Sequence, residues 1–434
     1  MNRRISQQDL DTEIRSYLAG AGGSEPASLG AVLDRLPDRA GRAHRPWPAL
    51  PGLVRFAALA AVAILVAAVV GLPRIMPRPA ATLVTPGTFV PTGSMTSPRQ
   101  LAFGVLLHDG RVLIAGGWND GTGLLTTAEL YDPATGTFSP TGSMSTTHPR
   151  TGVLLSDGRV LFAGGGDHTG FLASAELYDP ATGKFIPTGS MSVARWGQTA
   201  TLLPDGRVLI VGGETQDSTA LASAELYDPA TGKFSPTGSM AVARTEQSAA
   251  LLPNGLVLVA GGVTNAAVGG ADPAAHYAPL TSAELYDPAT GKFSPNGSMT
   301  TFRRDPTTTL LSDGRVLIAG GSSWPDPGKA DSVAVASADV YDPATGRFSR
   351  LPGSMVWGQP VVLSDGRVLI VGSSGASAPA ELYNPRTGTI SPTGSMSTVR
   401  SGPTAVLLPD GRVLVAGGFG AGNVVFASAE LYQP

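Results

Sequence analysis

From residue 87 onward the chain alternates short apolar runs with polar punctuation, and the same succession of runs keeps returning. An apolar run such as 199–203 (TATLL) is followed by Pro-Asp-Gly and then by a second run, 207–211 (RVLIV), which ends in a Gly pair. After a variable stretch come 223–227 (SAELY), the sequence Asp-Pro-Ala-Thr-Gly, and 233–236 (KFSP). Runs of this length bounded by turn formers are strands. Pro and Asp shape the first corner of each turn, and Gly supplies the positive φ of the last. The unit is therefore expected to form four antiparallel strands, A to D. A and B are apolar enough to be buried on both faces, whereas C and D are more mixed. A sheet graded in this way from buried to exposed is a propeller blade.

Three strings count the blades. DGRVL or a close variant begins at Asp109, Asp157, Asp205, Asn254, Asp313, Asp365 and Asp410. The AELYDPATG string places Tyr131, Tyr178, Tyr227, Tyr286, Tyr341, Tyr383 and Tyr432, and the PTGSM string ends at Met95, Met144, Met191, Met240, Met299, Met355 and Met396. Each occurs seven times, but in offset order: TFVPTGSM (88–95) precedes any A, B or C strand, and the chain ends just after a C strand. Strand D at 88–91 is thus expected to complete the last blade beside 428–432 and leave the ring no open edge.

The double Gly after strand B, the Tyr-Asp-Pro-x-Thr-Gly stretch and the aromatic that follows it (Phe138, Phe185, Phe234, Phe293, Phe348) resemble the kelch repeat. The resemblance covers residues 87–434 and implies an all-β, seven-bladed kelch-like β-propeller. In the sixth blade Ile390 replaces the aromatic and Gly372-Ser373 breaks the double Gly, which points to a locally weaker blade.

The first fifth of the chain is different. Residues 56–72 (FAALAAVAILVAAVVGL) carry no charge and would make a helix of about 26 Å, close to the thickness of a bilayer core. A transmembrane helix over 51–73 is the expectation. A cleaved signal peptide would need its hydrophobic region to follow 55 residues of polar leader. Arg39, Arg42, Arg45 and Arg55 precede the span and Arg74 and Arg78 follow it, so the amino terminus is expected in the cytoplasm and the propeller outside. Residues 1–50 are expected to form a tail with two short amphipathic helices, one bearing Leu10, Ile14 and Leu18 and the other Leu29, Val32, Leu33 and Leu36. Such a tail suits a loose interfacial segment or a docking site for a cytosolic protein, and 74–86 is a linker.

Composition narrows the chemistry. Gly (56) and Pro (36) make up about a fifth of 434 residues, as many tight turns require. A net charge of −3 offers no basic footprint for nucleic acid. There is no Cys, which removes disulfides, thiolate metal sites and Cys nucleophiles. It also excludes the radical copper chemistry of galactose-oxidase-like relatives of this fold, whose site needs a tyrosine–cysteine link. No hydrolase, zinc-protease or phosphate-loop motif is present, and no cofactor is expected. Asp167-His168 is the only local hint of a metal, and a solvated turn explains it better.

Seven copies of one unit serve as internal controls, so residues found in every blade belong to the architecture. That applies to the Asp and Arg of DGR, to the Glu of AELY, and to Arg99, Arg195, Arg244, Arg303 and Arg400, which could also form a cationic collar at the channel mouth. Strand direction puts the uniform A–B and C–D turns on one face and the variable B–C and D–A loops on the other, and propeller ligands sit on such variable faces. Four of the five Trp fall in those loops: Trp118, Trp196, Trp324 and Trp357. With Glu246, His276, Tyr277, Arg303, Arg304 and Asp305 they form the candidate rim for a polysaccharide, a peptide or a surface protein. The expected function is membrane-anchored binding. The alternatives are a carbohydrate-active enzyme on the same face and a sensor signalling through the tail.

Overall fold

The computed structural model describes residues 85–147, 152–265, 277–323, 333–355, 358–372 and 379–434. They belong to one compact unit, Thr82–Pro434. Seven four-stranded antiparallel sheets stand around an axis, each running from an inner strand A to an outer strand D. In the third blade these are Thr199–Leu202, Val208–Val211, Ala224–Asp228 and Lys233–Pro236. Register is repeated from blade to blade, so that Val208 lies opposite Tyr227 and Tyr227 opposite Phe234.

The turns form as their residues dictate. Asp228 accepts the Ala230 N–H at 2.9 Å and the Thr231 hydroxyl at 2.9 Å, and Gly232 closes the turn at φ +67°, where a side chain would be strained. On the A–B turn Asp205 holds the Arg207 N–H and guanidinium. Equivalent arginines reach to the next blade, as Arg315 does to the Pro385 carbonyl at 2.7 Å.

Closure follows the offset order of the repeats. Thr88–Pro91 pairs with Ala429–Gln433, Phe89 facing Tyr432 with ring centroids 5.0 Å apart. Both ends of the propeller thus share one blade, and none of the seven sheets is left incomplete.

The core is a set of seven apolar clusters, one at each blade interface. Between blades seven and one, for example, Met95, Val112, Ile114 and Tyr131 pack against Leu414, Ala416 and Leu431. Burial corrects two expectations. Strands B are buried throughout, but strands A are only half-buried, because one of their faces lines the central channel. Strands C, expected to be mixed, are buried as deeply as B along Ala-Glu-Leu-Tyr, since the neighbouring blade covers them.

Every recurrent Tyr is buried, and six reach a partner on the preceding blade. Thr188, for instance, meets the Tyr227 hydroxyl at 2.9 Å, and Asn296 fills the same role for Tyr341. Asn296 opens an Asn-Gly-Ser triplet, the letters of a glycosylation sequon, and its side chain is here taken up by this interblade bond. The sixth blade is complete, yet the Tyr383 hydroxyl has no partner, because Leu351 occupies the position that Thr holds elsewhere. The strand of the preceding blade thus leaves the sixth without an interblade bond that the other six have.

The expected transmembrane helix at 51–73, the tail at 1–50 and residues 74–84 of the linker lie outside the described residues. Among the described residues no helix is long and apolar enough to cross a membrane.

Candidate functional site

The B–C/D–A face is built on the crossovers that carry the chain from one blade to the next. Five contain an arginine whose side chain is at most 1 % exposed. Arg195 donates to the Gly212 carbonyl at 3.0 Å, the Ser223 carbonyl at 3.2 Å and Glu225 at 2.8 Å, all in its own blade, while its backbone N–H bonds to Leu172 of the preceding one. Burial lowers the pKa of this guanidinium, and the Glu225 charge opposes that shift. These arginines rivet blades together. They form no collar in the channel.

Arg303 therefore leaves the candidate rim. It is fully buried and bonds to Asp339, the Gly320 carbonyl and Ser337. Its recurrence, not its neighbours Arg304 and Asp305, indicated its role.

Four other candidates converge. Trp118, Trp196, Glu246 and Asp305 line one cavity of about 650 Å³ at the channel mouth, together with Leu101, Leu124, Gln198 and Gln247. Trp118 sits at the base of a two-stranded hairpin, Trp118–Asn119 with Gly123–Leu124, and is 42 % exposed. Trp196 is held by a backbone pair with Glu214 and stacks on Phe171, centroids 5.8 Å apart and rings 21° from parallel. The cavity thus has an indole fixed in place and a second one open to solvent.

The polar side of the site is a network. Glu246 pairs with Arg304, whose Nη2 lies 2.8 Å from Oε1. Tyr277, on the hairpin Val263–Asn265 with Tyr277–Pro279, donates its hydroxyl to Glu214 Oε2 at 2.6 Å. Burial pushes the Glu214 carboxyl above its ordinary pKa, with the Glu246 charge adding to the rise. Burial and the Glu214 carboxylate push the Tyr277 phenol up to about 12. Gln198 and Gln247, nearly buried in the cavity wall, donate through Nε2 to the Ala163 carbonyl at 2.8 Å and the Val211 carbonyl at 2.9 Å, and their Oε1 atoms find no protein partner.

His276, Trp324 and Trp357 lie outside the described residues. Glu214 was missed in the sequence, although the signal was there: it directly follows a Gly pair, the position that holds Trp118 in the first blade. Asp167, the metal hint, caps a hairpin turn by accepting the Thr169 N–H at 2.7 Å.

Comparison with known proteins fits this geometry. The Kelch motif matches residues 101–145 and 195–241. No curated protein matches the chain. A solved structure of a fungal alcohol oxidase of the AA5 family, in complex with copper, superposes with a TM-score of 0.61 at 18 % identity, over 81 % of this chain and 77 % of that one, a likeness of fold alone. The chain has no Cys, and among the described residues no three His, Asp or Glu converge to hold an ion. The motif matched in two blades and the closed ring of seven blades together support placing the chain with the kelch-repeat β-propellers.

Proposed function

We propose that this propeller is a binding protein that takes a carbohydrate chain into the channel mouth of its B–C/D–A face. The observation that carries the reading is the convergence of Trp118 and Trp196 with the carboxylates of Glu246 and Asp305 on one cavity. Indole faces stack on the apolar faces of sugar rings, and carboxylates accept hydrogen bonds from sugar hydroxyls. A cavity of about 650 Å³ falls within the range of small-ligand sites. The test is titration of the full-length chain against a glycan panel, followed by tryptophan fluorescence. Binding should be lost in W118A and W196A, with the thermal midpoint of W118A unchanged. Unfolding of W118A, or binding that survives both substitutions, would refute the reading.

A second reading is favoured by the two carboxylates of the polar network. Burial raises the Glu214 carboxyl above its ordinary pKa, with the nearby Glu246 charge adding to the rise, and Glu246 is held by Arg304. Hydrolysis of a bound glycan in the same assay, lost in E214Q, would identify an enzyme acting on carbohydrate.

We further propose that residues 56–72 anchor the protein in a membrane with the amino terminus in the cytoplasm, and that residues 1–50 meet a cytosolic protein partner there. The uncharged run and the flanking arginines support this. Protease protection of the tail in sealed vesicles checks the orientation.

A further inference from the structure

The channel mouth is edged by one backbone position that recurs around the ring. Two residues after each buried crossover arginine the chain turns left-handed: Leu101 at φ +56°, Gly197 at +69°, Glu246 at +54°, Asp305 at +52° and Gly402 at +56°. Backbone bonds link successive members. The Leu101 N–H donates to the Gly402 carbonyl at 2.9 Å, the Glu246 N–H to Gly197 at 2.9 Å, and the Asp305 N–H to Glu246 at 2.8 Å. These bonds join left-handed turns at Leu101, Glu246 and Asp305 as well as at the two glycines. Glycine is the residue that occupies such a position without strain, and two blades use it. In both, a Cβ would also collide, 2.4 Å from Thr245 Oγ1 at Gly197 and 2.5 Å from Leu101 Cδ2 at Gly402.

Three blades nevertheless keep a side chain there, against a conformational cost that glycine would remove. These side chains face the site. Leu101, Glu246 and Asp305, together with Gly197, line the large cavity, and Leu101, Asp305 and Gly402 line a smaller one of about 270 Å³ beside it. Packing does not account for all three. Asp305 is exposed, and the pair Glu246 makes with Arg304 is partly open to water, where such pairs contribute little.

We propose that this left-handed position is where the propeller reads its ligand, with Glu246 and Asp305 accepting the hydroxyl groups of a sugar whose ring lies on the indoles and Leu101 bordering it. The inference rests on the carbohydrate reading and specifies it: the ligand is a saccharide without carboxylate or sulfate groups. An acidic sugar would have to bring its charge against Glu246 and Asp305, with Glu214 nearby and Arg304 already paired to Glu246.

The experiment compares wild type with E246G, D305G and the shape-preserving E246Q and D305N, all as the full-length chain kept in a zwitterionic detergent. Probes are a neutral cello-oligosaccharide, a neutral chito-oligosaccharide and an oligogalacturonate, with thermal melting of each variant alongside. Wild type should bind one of the neutral probes and not the oligogalacturonate. E246G and D305G should each weaken that binding about tenfold or more, with melting midpoints equal to or above wild type. D305N should weaken neutral binding less and reduce the discrimination against oligogalacturonate. A lower midpoint in both Gly variants would make these residues structural braces and overturn the inference, as would unchanged affinity. Wild type that binds no probe would instead bring down the carbohydrate reading and the inference with it. Preferential binding of the oligogalacturonate would overturn the charge argument alone.

Discussion

Two ion pairs of similar length should differ severalfold in their effect on stability, because one is buried and the other is not. Glu225 and Arg195 meet at 2.8 Å with side-chain exposures of 3 % and 0 %. Asp205 and Arg207 meet at 2.6 Å with exposures of 44 % and 37 %. Replacing Glu225 by Ala leaves a guanidinium in the interior with only carbonyl and hydroxyl partners, which costs about 3–5 kcal/mol. It also strips the Ser192 N–H of its acceptor at 2.9 Å, worth about 1 kcal/mol more. Replacing Asp205 by Ala removes a solvent-screened pair worth about 0.2–1 kcal/mol, together with an exposed bond from the Arg207 N–H that water replaces. Urea unfolding at constant m-value measures both, and E225Q, which keeps an acceptor without the charge, should fall between them. A loss in E225A within about 1 kcal/mol of that in D205A would refute the assignment of the buried arginines as anchors of the crossovers.

Other expectations follow from the same packing. A chain lacking residues 88–91 should unfold at clearly lower urea with Tyr432 newly exposed, and an unchanged midpoint would contradict closure by that strand. Y227F should cost about 1 kcal/mol through loss of the Thr188 bond, whereas Y383F, whose hydroxyl is already unpaired, should be neutral or stabilising; equal effects in urea unfolding would count against the register of the sixth blade. The carboxyl of Asp205 is held below its ordinary value, chiefly by the Arg207 hydrogen bond against the opposing effect of burial. The folded state therefore binds fewer protons than the unfolded chain as pH falls below about 4. Stability from this turn should be constant from neutral pH down to about 5 and decline below about 4, and D205N should flatten part of that decline in pH-dependent melting.

Repetition made the fold legible. Seven copies of each string fixed the number of blades, and their offset order located the closing strand before any coordinate. The site was legible only where a residue broke the repeat. Trp118, Trp196, Glu246 and Asp305 stand out from their equivalents and do converge. Arg303 does not stand out, and its recurrence correctly marks a rivet, although its neighbours drew it into the rim. Glu214 was overlooked because its partner Tyr277 lies 63 residues away in the chain and only blade packing joins them. The left-handed position was invisible because, among the described residues, Gly marks just two of its five occurrences, while hydrogen bonds between crossovers join the same conformation at Leu101, Glu246 and Asp305. Strands A looked doubly buried because an apolar run records low polarity but not which side meets the channel.

The most direct test of the account is a crystal structure of the chain with the tightest-binding member of the glycan panel. It should show a sugar ring against Trp196 in the channel mouth, with hydroxyls within hydrogen-bond distance of Glu246 and Asp305. A sugar bound on the uniform turn face, or along the outer strands away from the channel, would contradict it.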